Sequence, residues 1–256
     1  MKFARSIGST ALLTLALSIA GGAAADTVHV AVAANFASTL QRLSAAFKQQ
    51  TGHAVVASSG ASGQLYAQIK ERAPFAVFLS ADEERAKQLE ADGLAEPNSR
   101  FIYAVGRLLL WSPDRRVLDG HGNPQLGDGR IAIAEPRTAP YGAAAVAWLR
   151  AHNHYKLLTR MRRLVVGTSI GQTLQFIESG AAPMGFVAMS QVIQADGRVR
   201  GHSWKVPGSE ERLRQAAVLL KPHATDPAAI AFMKFLRSAA AGRIIERSGY
   251  GRIVPQ

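Results

Sequence analysis

The sequence of 256 residues contains no cysteine. Disulfides, thiolate metal sites and a cysteine nucleophile are therefore excluded. The serine loop Gly60–Gly63 lacks the nucleophile elbow G-x-S-x-G, and the zinc motif H-E-x-x-H, the dinucleotide motif G-x-G-x-x-G and the P-loop are absent from the chain. His152 and His154 lie two residues apart and do not share a helix face, so they make a poor metal pair. The sequence thus favours neither catalysis nor a metal-ion site.

Long apolar runs are missing from the chain after residue 25. Before that point, Lys2 and Arg5 precede an apolar run that ends in the small residues Ala23, Ala24 and Ala25. This pattern predicts a secretory signal peptide over residues 1–25, with Ala25 the last residue removed. No later stretch has the length of a transmembrane helix, so we expect a mature protein that is soluble outside the cytoplasm.

Acidic residues are in the minority, with 18 Asp and Glu against 30 Lys and Arg, which gives a formal net charge of +12. Such an excess of positive charge is compatible with binding to nucleic acid, to an anionic membrane or to a small anionic ligand. The cations are scattered, however, and the densest group is only Arg160, Arg162 and Arg163. We therefore expect no nucleic-acid partner, and a module that binds polyanions such as lipopolysaccharide is kept as an alternative.

A strand followed by a helix opens the mature chain. Val28–Phe36 has the alternation of a buried strand, and Phe36, Leu40, Leu43 and Phe47 then recur at helical spacing. Asn35 lies at the junction, where the first backbone N–H groups of a helix can hold an anion. The alternative is that Asn35 only caps its own helix.

Three further junctions of the same kind follow. In each, an apolar strand leads into a loop of small or polar residues that opens a helix. The predicted loops are Ser58–Gly63, Glu135–Gly142 and Gly167–Gly171. The end of the first loop opens a helix, and the helices after the second and third loops are predicted to begin at Ala143 and at Gln172. Because ligands in open α/β sheets bind at the carboxyl ends of strands, four such junctions favour one shared site.

The segment Phe101–Trp111 is long for one strand and has Gly106 at its centre. It predicts a crossing between two sheets, and the strand Gln215–Leu220 predicts the return. Pro227–Ile245 is predicted as one closing amphipathic helix. The fold class is therefore α/β, with two doubly wound domains joined by crossing strands: domain I over 26–103 plus 217–256, and domain II over 104–216.

Five motifs, AVAANF, SSGASGQLYAQI, APFAVFLSAD, PYGAAA and GFVAMSQV, occur in an order that resembles the periplasmic molybdate-binding proteins of ABC transporters, which have the type II solute-binding fold. The resemblance implies a binding protein that is not an enzyme and has no cofactor, and that captures molybdate or tungstate in the periplasm for a membrane permease. It also implies a monomer. The implied ligand donors are Asn35, Ser62, Tyr141 and the main-chain N–H of Ile170, with Ser59 as the substitute if the loop register differs.

The chain departs from this family at two positions. Some members have a tyrosine where Ala188 stands, and a serine where Asn35 stands. A site made only of donors suits a fully ionised dianion better than monohydrogen phosphate, whose proton needs an acceptor. Another oxyanion such as sulfate remains an alternative ligand. An exported serine hydrolase that uses Ser58, Ser59 or Ser62 is the alternative from another class.

Overall fold

The computed structural model describes residues 26–114, 116–117 and 122–251, so the predicted signal peptide lies outside the described residues. Within these ranges, no helix has both the length and the apolar character needed to cross a membrane. The described chain forms two five-stranded sheets, each covered by helices on both faces.

The first sheet has the strand order β2-β1-β3-β10-β4. Its strands are β1 (Thr27–Ala33), β2 (Ala54–Gly60), β3 (Val77–Leu79), β4 (Phe101–Val105) and β10 (Arg214–Leu219). The strands β1, β2 and β3 are parallel, whereas β10 runs antiparallel to both of its neighbours. The parallel strands therefore end at one edge, where the helices that follow them begin.

The second sheet repeats this plan with the order β7-β6-β8-β5-β9. Its strands are β5 (Leu108–Ser112), β6 (Ile131–Ala134), β7 (Leu164–Gly167), β8 (Met184–Ala188) and β9 (His202–Lys205). The parallel strands are β6, β7 and β8, and β5 is antiparallel to both β8 and β9.

Nine α-helices lie within the described residues. They are α1 (Ala37–Thr51), α2 (Ser62–Lys70), α3 (Glu84–Ala91), α4 (Pro140–Ala151), α5 (His154–Arg160), α6 (Ile170–Glu178), α7 (Met189–Val192), α8 (Pro227–Leu236) and α9 (Ala239–Arg247). On the first sheet, α1, α8 and α9 bury one face and α2 and α3 the other. On the second sheet, α4 and α5 lie on one side and α6 and α7 on the other.

The chain crosses between the sheets at Gly106. The segment predicted as one long strand is two strands, since β4 belongs to the first sheet and β5 to the second. The return is made by β10, and the last helices pack on the first sheet. Both predicted domain boundaries fall inside a strand, so we propose that the division lies at Gly106 and Leu213 instead.

Several element boundaries differ from the predictions. Helix α6 begins at Ile170 and not at Gln172, because Ser169 caps it and Ile170 is already in the first turn. Helix α4 begins at Pro140 and not at Ala143, because proline fits the first helical turn, which needs no N–H from it. The predicted closing helix is two helices, because Ser238 ends one and accepts a hydrogen bond from Ala241 N to cap the next. The predicted loop at Ser58 is shorter, since β2 continues to Gly60.

Two glycines in helices should respond oppositely to substitution by alanine. A Cβ at Gly142 would lie 2.2 Å from the carbonyl oxygen of Ala134, whereas one at Gly242 in α9 would meet nothing within 4 Å. We expect Gly142→Ala to lower the free energy of unfolding by roughly 1–3 kcal/mol. Gly242→Ala should raise it by about 0.5–1 kcal/mol. Urea unfolding of both variants checks this, and a loss of stability only in Gly242→Ala would contradict the packing described here.

Candidate ligand-binding site

Four helix starts surround one small cavity between the two sheets. All four residues predicted as donors, Asn35, Ser62, Tyr141 and Ile170, line it. The remaining lining residues are small or apolar: Ala33, Ala34, Gly60, Ala61, Ala81, Ala139 and Pro140. The cavity is small: the space open to the centre of a water molecule is about 10 Å³, which is close to the room that one water molecule needs. Among the residues that the structure describes, no charged side chain lines this cavity.

Ser62 is the first residue of α2 and is completely buried. Its Oγ accepts a hydrogen bond of 2.9 Å from the backbone N–H of Ala81. A hydroxyl group has one hydrogen to donate, and here its oxygen already has a donor partner. The Ser62 hydroxyl hydrogen is therefore the part left for a ligand.

Ile170 begins α6 on the opposite side of the cavity. As the first residue of the helix, it has a backbone N–H without an intrahelical partner. Ser169 caps the same helix by accepting a hydrogen bond from Gln172 N at 3.3 Å. Gln191 Nε2 donates to the carbonyl oxygen of Ile170 at 2.9 Å, which fixes this peptide from the other side. The arrangement leaves the Ile170 N–H as a donor.

Asn35 lies in the 3₁₀ turn Ala34–Phe36 and is 1% exposed. Its side-chain amide donates to Gln215 Oε1 at 2.9 Å and to the hydroxyl of Tyr250 at 3.0 Å. Its Oδ1 is buried without a partner. Both amide hydrogens are thus used within the protein, and the predicted donor role of this side chain requires the amide to turn over.

Tyr141 is buried in the first turn of α4. Its hydroxyl lies next to Gly106, where the chain crosses between the sheets. Its hydroxyl oxygen accepts a hydrogen bond of 3.1 Å from Gln215 Nε2. A Cβ at Gly106 would lie 2.3 Å from this oxygen and 2.8 Å from Gln215 Nε2. Glycine at the crossing is therefore what allows Tyr141 and Gln215 to meet.

Three buried tyrosines have raised pKa values. Burial is the main cause of the high pKa of Tyr141, and hydrogen bonds from Gln215 and from the backbone of Arg107 act against it. Burial likewise raises the pKa of Tyr103 and of Tyr250. All three phenols therefore keep their hydrogen at neutral pH, and Tyr141 can act only as a neutral group.

The two halves contact each other on both sides of the cavity. On one side, Gly63 N donates to Thr138 O at 2.8 Å, which joins the start of α2 to the loop before α4. On the other side, Ser190 Oγ donates to Asn35 O at 2.9 Å, next to the Tyr250 hydroxyl. These bonds hold the cavity closed between the sheets.

Two residues considered from the sequence lie elsewhere. Ser59 is exposed on β2, paired with Val32, and does not line the cavity. Ala188 is completely buried at the end of β8 and also lies outside the lining. Sequence reasoning missed Gln215, Tyr250 and Ser190. The only signal for Gln215 was a polar residue that opens an apolar strand, and no signal pointed to the other two.

Two α/β sheets joined by crossing strands, with a small polar cavity between them, define a two-domain solute-binding protein. The family model described as "Bacterial extracellular solute-binding protein" matches residues 28–251. The chain therefore belongs to the bacterial extracellular solute-binding proteins.

Named relatives are similar over almost the whole chain. Identity is 46% over 245 residues to the molybdate-binding protein ModA of Rhodobacter capsulatus, with 95% of each chain covered. It is 42% over 237 residues to the protein of the same name from Azotobacter vinelandii, covering 91% of this chain and 93% of that one. The solved structure of the Azotobacter vinelandii periplasmic molybdate-binding protein matches with a TM-score of 0.84 at 42% identity, covering 90% of this chain and all of that one.

The buried tyrosines predict how stability falls at alkaline pH. An unfolded tyrosine loses its proton near pH 10, while Tyr103, Tyr141 and Tyr250 keep theirs to higher pH. The folded state then binds more protons, so their contribution is complete below pH 10 and decreases as pH rises further, by up to about 1.4 kcal/mol per tyrosine and pH unit. Urea unfolding of wild type and Tyr103→Phe from about pH 9 to about pH 11 measures this. The variant should show a shallower decrease, and equal slopes would contradict the assignment.

Proposed function

We propose that this protein captures molybdate or tungstate in the cavity between its two sheets and delivers the ion to the permease of an ABC transporter. The observation that carries the proposal is that Asn35, Ser62, Tyr141 and Ile170 line one small cavity to which the described part of the chain adds no charged side chain. The relatives at 46% and 42% identity, both named as molybdate-binding proteins, support the same ligand.

The hydrogen bonds around the cavity favour a ligand that only accepts hydrogen bonds and donates none. Ser62 Oγ and the Tyr141 oxygen each already accept a hydrogen bond from the protein. A fully ionised tetrahedral dianion offers acceptors on every oxygen and matches the hydrogens that remain. Monohydrogen phosphate would bring a proton that needs an acceptor, and an unpaired buried donor costs about 1–3 kcal/mol.

Helix starts supply the remaining stabilisation of the negative charge. The N-termini of α2, α4 and α6 and the turn before α1 meet at the cavity. Their aligned peptide dipoles favour an anion, each by roughly 0.3–1 kcal/mol at exposed sites and up to about 2 kcal/mol when partly buried. No cationic side chain is then needed beside the ligand.

Binding and release would use the two crossings as hinges. A ligand held by Ser62 from one side and Ile170 from the other interacts fully only when the halves are closed, so it favours the closed state. We propose a monomer in the periplasm, exported by the signal peptide of residues 1–25. The permease would receive the ion when it opens the two halves.

The hydrolase alternative gains no support from the serines concerned. Ser58 and Ser59 are exposed on β2, and Ser62 donates to no base among its partners in the described chain. A serine nucleophile needs an adjacent base within hydrogen-bond reach. The binding role is therefore the one that the site supports.

Isothermal titration calorimetry with molybdate, tungstate, sulfate and phosphate tests the function directly. We expect saturable binding of molybdate and tungstate, weaker binding of sulfate because the ion is smaller, and the weakest binding of phosphate. A protein that binds none of these ions below the millimolar range would refute the proposal. Tighter binding of sulfate than of molybdate would keep the fold of the site but change the ligand.

Ser62→Ala should weaken molybdate binding about tenfold or more, because a charge-assisted hydrogen bond contributes roughly 1.5–3 kcal/mol. Ser59→Ala is the matched control, since this serine is only three residues away but exposed outside the cavity. Asn35→Ala should also weaken binding, through the loss of the group that holds Gln215 and Tyr250. Equal affinity of wild type and Ser62→Ala, with a loss in Ser59→Ala, would show that the loop register is different.

A further inference from the structure

Gln215 lies behind the cavity and connects residues that line it from opposite sides. It is completely buried on β10, next to a bulge between Gln215 and Ala216. Its amide bonds to Asn35 from the first sheet's side and to Tyr141 from the second. We propose that Gln215 is a positioning residue that sets the hydrogen-bond polarity of the cavity. This inference rests on the proposed function and concerns the same site.

The oxygen and nitrogen of the Gln215 amide determine which neighbouring side chain keeps a hydrogen that is free to bind a ligand. Nε2 donates to Tyr141, so the phenolic hydrogen of Tyr141 is not directed at Gln215. Oε1 accepts from Asn35 Nδ2, whose other hydrogen goes to Tyr250. In this arrangement Tyr141 keeps a hydrogen for the ligand, and Asn35 keeps none.

The opposite arrangement also leaves one donor. The amides of Asn35 and Gln215 can turn over only together, because a donor must face an acceptor between them. The Tyr103 hydroxyl must then accept from Gln215, and the Tyr250 hydroxyl must donate to Asn35. Tyr141 would then donate to Gln215, and the Asn35 amide would present a hydrogen where its unpartnered Oδ1 now lies. With a glutamine at position 215, either Tyr141 or Asn35 therefore keeps a hydrogen that it can donate to a ligand.

A carboxylate at this position would remove that hydrogen in either arrangement. It only accepts, so it would bind the hydrogens of Tyr141 and of Asn35 together. A protonated carboxyl group has one donor and one acceptor, as the amide does. Ligand binding to Gln215→Glu should therefore be coupled to the uptake of a proton, which wild type does not require.

The surroundings of Gln215 contain few groups that could obscure this coupling. The titratable groups that face it are Tyr103 on β4, which lies 3.0 Å from Oε1, and Tyr141 on α4. Tyr250 lies beyond Asn35, and Asp82 acts on Tyr103 through its charge. The tyrosines stay neutral in the range of the experiment, so a carboxyl group introduced at 215 would be the group that titrates.

The experiment is calorimetry with molybdate from about pH 6 to about pH 9 in buffers of different ionisation enthalpy. Wild type should bind with constant affinity and no proton uptake. Gln215→Glu should bind within about tenfold of wild type at the lowest pH, lose roughly tenfold per pH unit above the pKa of its carboxyl group, and take up as much as one proton. Gln88→Glu, the same change at an exposed position of α3, controls for the charge and should behave as wild type.

Gln215→Leu provides a second measurement that does not depend on the folding of Gln215→Glu. It removes the hydrogen bond from Gln215 to the Tyr141 oxygen and leaves the one from the backbone of Arg107. The oxygen can then accept a proton from phosphate in place of the lost bond, so the ratio of molybdate to phosphate affinity should fall about tenfold, independently of pH. An unchanged ratio of molybdate to phosphate affinity, or a folded Gln215→Glu that takes up no proton on binding, would overturn the role of Gln215. If wild type still binds molybdate, the proposed function is not affected by that result. Failure of wild type to bind any oxyanion would instead refute the function and this inference with it.

Discussion

The contact of Gln215 with Tyr141 at the crossing holds the site together. The chain passes between the sheets at Gly106, and the absence of a side chain there lets the Tyr141 hydroxyl approach Gln215. Gln215 in turn fixes Asn35, and Tyr250 closes the same network from the last segment of the chain. Residues far apart in sequence thus become one buried polar cluster beside the cavity.

The chemistry of the cavity depends on which hydrogen-bonding capacity the protein has already used. The oxygens of Ser62 and Tyr141 are occupied by protein donors, so these hydroxyls can offer only hydrogens. The cations within residues 26–114, 116–117 and 122–251 make no direct contribution, because none of them lines the cavity. Selectivity for a fully ionised oxyanion then follows from fixed donors and helix dipoles in a small space, and not from opposite charge.

The strands other than β9, and the four junctions, could be predicted from sequence because apolar runs and small polar loops are local signals. The crossing at Gly106 was predicted for the same reason. Strand β9 has only four residues, none of them fully buried, and was not predicted. The start of α4 had a signal in the proline at its first helical position, and the start of α9 had one in its capping serine. Neither signal was used, because the spacing of apolar residues around it suggested a different helix boundary. Tertiary contacts had no local signal. Gln215 and Tyr250 lie 180 and 215 residues from Asn35, and only the folded chain brings them to it.

The identity of the four lining donors came from the resemblance of motifs and not from spacing alone, since each junction by itself could be an ordinary helix cap. The structure adds that the junctions meet at one cavity and that Ser59 lies outside it. What remains for experiment is the ligand itself.

A crystal structure of the protein with tungstate, phased by the anomalous signal of tungsten, would locate the bound anion directly. We expect one tungsten position, inside the cavity, with oxygens within hydrogen-bond distance of Ser62 Oγ and the Ile170 N–H. A tungsten position elsewhere on the molecule, or in the cavity but coordinated by charged side chains, would contradict this expectation.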